Sequence, residues 1–76
     1  MDDIAITRIM PNSLEAEQSV IGSMLMDKQA IISASEILSA DDFYHRQYGI
    51  MFQAMVDMNN AAKPVDIVTL QEALKE

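Results

Sequence analysis

Few side chains in this sequence of 76 residues have the types and spacing that acid–base or metal chemistry requires. His45 is the single histidine, and cysteine is absent. Because a lone histidine rarely forms a metal site, we expect it to have a structural or surface position. Asp41 and Asp42 could bind a metal or act as an acid–base pair. Adjacent aspartates before a helix also accept hydrogen bonds from its free N–H groups, so we expect them to cap the turn before Phe43.

Glu17 is the carboxylate that fits the surrounding sequence pattern least well. It falls on the apolar face of a predicted helix, where burial without a partner costs several kcal/mol. Two interpretations stay open. Glu17 lies at the rim with its carboxylate in water, or it forms a structural pair with Arg46 or with free N–H groups of another helix. Catalysis is disfavoured, because the chain supplies no nucleophile or second catalytic group beside it.

The sequence lacks the motif that usually binds the phosphates of a nucleotide. The phosphate-binding loop G-x-x-x-x-G-K-[ST] is absent, since the glycines of the chain are Gly22 and Gly49 alone. We therefore predict no catalytic residue, no cofactor-binding residue and no metal ligand in this chain, and we expect it not to be an enzyme by itself.

Charge and composition favour proteins as partners over nucleic acid or membrane. Twelve acidic residues face five scattered basic ones, giving a net charge of −7, whereas phosphate binding needs clustered lysine and arginine. The sequence has no signal-peptide pattern and no apolar run long enough to span a bilayer. The absence of cysteine fits a reducing compartment. We expect a cytoplasmic protein that does not bind DNA directly.

Helix start and stop signals divide the chain into short helices. Asn12 or Ser13 can cap the first, Pro64 blocks continuation of the third, and Asp66 begins the last. The predicted helices cover about residues 14–26, 28–38 and 46–60 and continue from residue 66, with a short turn at 39–44. We predict an all-α fold, a small non-parallel bundle of about four helices plus a short helical turn. Residues 1–10 are interpreted as a flexible N-terminal arm and residues 11–76 as one helical domain.

Three apolar residues lie off the inner faces of their predicted helices. They are Met26 in the first helix, Ile50 in the third and Val68 in the last. Exposed apolar side chains of this kind can form interaction surfaces, and methionine adapts well to a partner. These three are the candidate interaction residues, and we expect the chain to associate with itself as a two-fold dimer.

Three blocks of the sequence also carry a family resemblance. They read PNSLEAEQSVIGSMLMD from Pro11, ADDFYHRQYGIMFQAM from Ala40 and PVDIVTLQEAL from Pro64. In order and spacing they resemble the N-terminal domain of bacterial replicative DNA helicases of the DnaB type, over about residues 11–76. The helical pattern continues to Glu76, so we expect a C-terminally truncated fragment of a longer protein.

The resemblance implies a role in DNA replication and primosome assembly. In that family this head domain belongs to a collar on a hexameric ring, which contacts primase and, in some bacteria, a helicase loader. ATP and magnesium would belong to a separate motor domain, so the intact protein would be an ATP-dependent helicase although this part is not an enzyme. The alternative is a free-standing helical adaptor, such as a phage or plasmid replication accessory protein. Downstream sequence with a second helical pair and a phosphate loop would favour the helicase.

Overall fold

Four α-helices and one 3₁₀ turn make up residues 13–75, the part of the chain that the computed structural model describes. They are α1 (Leu14–Met26), α2 (Lys28–Ile37), the 3₁₀ turn (Ala40–Asp42), α3 (Arg46–Asn60) and α4 (Ile67–Leu74). Residues 13–75 contain no β-strand. The predicted all-α bundle of four helices plus a short turn is therefore confirmed. The predicted N-terminal arm, residues 1–10, lies outside the described residues.

Side-chain caps begin the first and last helices. The Ser13 hydroxyl accepts a hydrogen bond from the Ala16 N–H at 3.2 Å, so Ser13 is the cap of α1. The Asp66 carboxylate accepts from the Thr69 N–H at 2.9 Å, and the Thr69 hydroxyl oxygen accepts from the Asp66 N–H at 2.9 Å. This reciprocal pair satisfies two backbone donors that a helix start leaves free. The predicted start of α4 at Asp66 is confirmed.

Asp27 separates α1 from α2 with a single residue. Its N–H donates to the Ser23 carbonyl at 3.0 Å and so closes α1, while its carboxylate accepts from the Gln29 N–H at 2.9 Å and so begins α2. Asp42 acts similarly in the next connection, where its carboxylate accepts from the Ser39 N–H at 2.8 Å. The predicted capping role near Phe43 is thus confirmed for Asp42, whereas Asp41 is exposed.

Helix α3 is the centre of the bundle, because it contacts α1, α2, α4 and the 3₁₀ turn. Its buried face carries Phe52, Met55 and Met58, and the Phe52 ring lies 5.2 Å from the Phe43 ring between centroids. The apolar core is formed by side chains from every helix: Ala16, Val20, Ile21, Met24, Ile31, Ala34, Leu38, Phe43, Phe52, Met55, Met58 and Leu70. Burial of this set is the main force that holds the short helices together.

The C-terminal helix departs from the sequence prediction. The pattern places Ile67, Leu70, Ala73 and Leu74 on its inner stripe, but only Leu70 is buried and Ala73 is half-buried. The reason is geometric. Helix α4 has eight residues and packs chiefly on α3, so a narrow strip of its surface is covered. Ile67 and Leu74 flank that strip and remain exposed.

Gly49 lets the 3₁₀ turn lie directly against α3. A methyl group placed on Gly49 would come within 2.6 Å of the Ala40 carbonyl oxygen, closer than side-chain carbons approach an oxygen. Gly22 differs, because a methyl group there would meet nothing within 4 Å. The glycine in α3 therefore has a packing reason within this chain, whereas the glycine in α1 has none among the described residues.

Candidate functional site

The buried carboxylate of Glu17 joins α1 to the beginning of α3. The side chain is 0% exposed. One oxygen, Oε2, accepts a hydrogen bond from the Tyr44 N–H at 2.7 Å, and the other, Oε1, accepts from the His45 N–H at 3.0 Å. His45 is the residue that precedes α3, and its side chain makes no capping hydrogen bond to that helix. Free N–H groups at the start of another helix are thus the partners of Glu17, so its placement at the rim and its pairing with Arg46 are both wrong.

The His45 ring completes the coordination of this carboxylate. Its Nδ1 lies 2.9 Å from Glu17 Oε1, and the His45 side chain is about a quarter exposed. An ionised carboxylate only accepts hydrogen bonds, so in that state Nδ1 carries the hydrogen. Within residues 13–75, every buried side-chain nitrogen or oxygen has a hydrogen-bond partner. The predicted structural or surface position of His45 is confirmed, and we call Glu17, Tyr44 and His45 the carboxylate clamp.

The rings of Tyr44, His45 and Tyr48 lie close together next to the carboxylate clamp. The His45 ring is edge-on to Tyr44, with centroids 5.3 Å apart, and lies 5.9 Å from the Tyr48 ring. The Gln18 side chain donates to the Tyr48 hydroxyl at 2.9 Å and adds a second link between α1 and α3. The Tyr44 side chain remains exposed although its own N–H is bound to buried Glu17. The structure thus holds the backbone of an exposed tyrosine in a fixed position.

The three candidate interaction residues are all exposed, but the fold does not gather them into one patch. Ile50 lies in an open groove of about 680 Å³ along α3, bounded by the 3₁₀ turn and the end of α4. Met26 lines a second depression beside the α1–α2 junction, and Val68 lines a third on α4. Sequence reasoning missed Tyr44 and Leu74, which lie with Ile50 in the first groove. We call this first depression the α3 groove.

The hydrogen bonds of the Glu17 carboxylate are filled by groups of this chain. In residues 13–75 no group of three or more histidine, cysteine, aspartate or glutamate side chains is placed to hold a metal ion. Within the same range, no helix is both long and apolar enough to cross a membrane. Glu17 and His45 satisfy each other and the backbone, and this arrangement fixes the surface around Tyr44.

Comparison with known proteins identifies the family of this architecture. Residues 9–76 match the DnaB-like helicase N terminal domain. Among curated relatives, the replicative DNA helicase DnaB of Buchnera aphidicola subsp. Schizaphis graminum is 41% identical over 69 residues, covering 91% of this chain and 15% of the relative. DnaB of Geobacillus stearothermophilus is 40% identical over 74 residues, and the Bacillus subtilis replicative DNA helicase DnaC is 36% identical over 74 residues. Each of these two alignments covers 97% of this chain and 16% of the relative.

The chain therefore spans about a sixth of the length of the curated relatives it matches. No solved structure matches it. The family match covers nearly all of the chain, and it includes the whole range in which the clamp and the groove lie. This chain belongs to the family of DnaB-like helicase N-terminal domains.

Proposed function

We propose that this chain is the protein-interaction domain of a replicative DNA helicase, where it helps to organise a hexameric ring and binds primase. In bacteria that use one, a helicase loader is a further partner. The observation that carries the proposal is the family match over residues 9–76, together with relatives that are named replicative DNA helicases. The role is binding within the replication machinery of the cytoplasm. ATP and magnesium belong to a separate motor domain of the intact helicase.

The charge distribution supports a protein partner for this domain. The chain carries a net charge of −7. Of its four described basic residues, Lys28 and Lys63 line the second depression, whereas Arg46 begins α3 and Lys75 follows α4. Binding to a phosphate backbone depends on several neighbouring cations that displace counterions. An acidic surface without such a cluster instead attracts proteins with basic patches and repels DNA at a distance.

The positions of the depressions support more than one partner, because the α3 groove shares no lining residue with the second depression, whereas the second and third adjoin at Lys63 and Pro64. Ile50, Met26 and Val68 each present an exposed apolar side chain in a different depression. Exposed apolar groups that lie in concave surfaces can be buried by a partner, which is the main source of affinity in protein interfaces. A domain with two such surfaces, the α3 groove and the depression beside Met26, can bind a neighbouring copy and primase at the same time.

Calorimetric titration with the primase of the same organism tests this proposal. The parent chain and a longer chain that includes any following helices are both titrated. We expect binding by at least the longer chain, and we expect Met26→Ser or Val68→Ser to weaken it about tenfold, as truncation of an interface anchor does. Ile37→Ser is the matched control, since Ile37 is an exposed isoleucine that lines none of the three depressions.

A second measurement tests the predicted lack of DNA binding. Fluorescence anisotropy with labelled single-stranded DNA at physiological salt should show no saturable binding, because the chain has no basic cluster. Micromolar or tighter binding of DNA would contradict the proposal, as would failure of both chain lengths to bind primase.

A further inference from the structure

The depression beside the α1–α2 junction brings together two basic side chains of this acidic domain. Lys28 is the first residue of α2, and Lys63 lies in the connection after α3, yet both line this depression, which has a volume of about 400 Å³. The two residues are far apart in the sequence, so the fold and not a local run of charge places them on one surface. We call this surface, defined by Met26, Lys28 and Lys63, the lysine depression.

The lysine depression differs in charge from the other two depressions. Its two lysines stand against one acid, Asp27, whose carboxylate already accepts a hydrogen bond from the Gln29 N–H at 2.9 Å. The α3 groove has two aspartates against one arginine, and the third depression has one lysine against one glutamate. Of these three surfaces, the lysine depression therefore has the positively charged lining, in a chain whose net charge is −7.

Neither lysine has an ionic partner within residues 13–75. Both side chains are exposed. The ion pairs in that range are His45 with Glu17 and Lys75 with Glu72. Lys28 also lies at the N-terminal end of α2, where the positive end of the helix dipole disfavours a cation. A carboxylate supplied by another molecule would offset that unfavourable charge and give both lysines a partner.

Apolar side chains accompany the two cations. Leu25 and Val65 are half-buried and line the lysine depression together with buried Ile31. Met26 is 90% exposed, the largest exposed fraction among the large apolar side chains of the described residues. Methionine is flexible and adapts its shape to the group that packs on it. A molecule that fits this surface therefore needs an apolar group as well as negative charge.

Hydrogen bonds within the chain fix the backbone on both sides of the lysine depression. The Asp27 N–H donates to the Ser23 carbonyl at 3.0 Å, directly before Lys28. The Lys63 N–H donates to the Met58 carbonyl at 2.9 Å. A surface whose backbone is already ordered loses less entropy when it binds a partner. The two lysines are thus held at fixed points, and only their side chains need to be ordered on binding.

We infer that the lysine depression docks an acidic segment of another protein, one that carries an apolar side chain among its carboxylates. The carboxylates pair with Lys28 and Lys63, and the apolar side chain packs on Met26 beside Leu25 and Val65. Nucleic acid fits less well, because two cations are few for a phosphate backbone and the net charge of −7 repels a polyanion. The inference deepens the proposed function and rests on it for the place of this partner in the replication machinery.

Titration of the ¹⁵N-labelled chain with short peptides, followed by NMR of the backbone amides, tests the inference. The probes are peptides in which aspartates flank a leucine or a phenylalanine. Matched peptides carry lysine in place of aspartate, or serine in place of the apolar residue. We expect the acidic apolar peptides to cause saturable shifts at residues 25–31 and 59–65, which surround the lysine depression. The serine peptides should bind about tenfold more weakly, and the lysine peptides should cause no saturable shift.

Paired charge reversals separate the two lysines from the overall charge of the domain. Lys28→Glu combined with Lys63→Glu should raise the dissociation constant of the acidic peptides at least about tenfold, since both ion pairs become repulsive. Arg46→Glu combined with Lys75→Glu is the matched control, because it changes the net charge equally at residues outside the lysine depression. That control should change affinity by less than about threefold. Circular dichroism melts of both chains verify that they are folded.

The apolar part of the contact has its own pair of variants. Met26→Ser should weaken binding of the acidic apolar peptides about tenfold, whereas Ile37→Ser, an exposed change outside the lysine depression, should not. The affinity for these peptides should also fall as salt is added, because the ion pairs are exposed.

Several results would overturn the inference. They are the absence of saturable shifts with every acidic apolar peptide, shifts confined to another surface, and equal affinities of the two doubly reversed chains. Single-stranded DNA that shifts the same amides at lower concentration than the peptides would also overturn it, since the occupant would then be a nucleic acid. The test uses no primase, so failure of primase binding would contradict the proposed function and leave the result with the peptides unaffected.

Discussion

The two ends of α3 are held in very different ways. At the N-terminal end, a buried carboxylate receives hydrogen bonds from Tyr44 and His45, and Gly49 packs against the 3₁₀ turn. At the C-terminal end, the connection of residues 61–66 is mostly exposed, and α4 packs chiefly on α3. Among the described residues, the side-chain hydrogen bonds that join residues far apart in the sequence therefore lie at the N-terminal end of α3. The difference indicates that precise positioning matters most at the start of α3.

Removing the carboxylate of Glu17, at the N-terminal end of α3, should lower the free energy of unfolding most. Glu17→Ala leaves two backbone N–H groups and the His45 ring without their buried partner, so we expect a loss of about 3–5 kcal/mol in the free energy of unfolding. Urea unfolding followed by circular dichroism measures it. Glu15→Ala is the matched control, because Glu15 is an exposed glutamate two residues earlier in the same helix. Equal midpoints for the two variants would show that the clamp contributes nothing.

Gly49→Ala should destabilise the domain by about 1–3 kcal/mol. The added methyl group would lie 2.6 Å from the Ala40 carbonyl oxygen, so α3 and the 3₁₀ turn must move apart. Gly22→Ala is the control in an equally helical position with no neighbour within 4 Å. There the better helix propensity of alanine should raise stability by up to about 1 kcal/mol. Thermal melts of the two variants test this prediction. Shifts of the melting temperature in the same direction for Gly49→Ala and Gly22→Ala would contradict it.

Local sequence signals were sufficient for the helices themselves. The predicted and observed bounds of α1 and α3 agree. For α1 the reason is local, because Ser13 and Asp27 act on neighbouring residues. Helix α2 ends at Ile37, one residue before the prediction, where Leu38 takes an extended conformation and its N–H still bonds the Ala34 carbonyl. Burial of Phe52 also follows from helical periodicity alone.

Contacts between distant residues could not be read in the same way. Glu17 and its partners are 27 and 28 residues apart, and the sequence pattern left both a rim position and a pair open. The close approach of Gly49 to Ala40 depends on the angle at which the turn meets α3, which no local signal encodes. Leu74 has the spacing of a core residue, but its exposure is decided by how little of α4 is covered.

Asp66→Ala tests the more loosely held end. The Asp66 carboxylate accepts from the Thr69 N–H at 2.9 Å, and loss of such a cap costs about 1 kcal/mol. Because α4 packs chiefly on α3, we expect this variant to fray α4 while the clamp around Glu17 stays intact. Hydrogen exchange resolved by residue should show faster exchange in α4 and unchanged protection at Tyr44. Gln71→Ala, an exposed change in the same helix, is the control. Uniform loss of protection across all helices would mean that both ends of α3 unfold together.

The smallest effect is expected where α3 ends, and it should be a gain. Ala62 has a φ of 61°, the positive value that favours glycine, and it is the one described non-glycine residue with such a value. The Lys63 N–H bonds the Met58 carbonyl at 2.9 Å, and the Ala62 N–H bonds the Asn59 carbonyl at 3.1 Å. These two bonds form the helix end that usually contains glycine at this position.

Ala62→Gly should therefore raise the free energy of unfolding by about 1 kcal/mol. Alanine pays a steric cost of roughly 1–2 kcal/mol in the left-handed region, and part of the gain is offset by the greater freedom of glycine in the unfolded chain. Ala61→Gly is the matched control, since Ala61 has a φ of −88° and gains nothing from glycine. Urea unfolding of the two variants should shift their midpoints in opposite directions. Equal losses in the urea midpoint for Ala62→Gly and Ala61→Gly would contradict this prediction. They would mean that the left-handed conformation of Ala62 does not limit the stability of the domain.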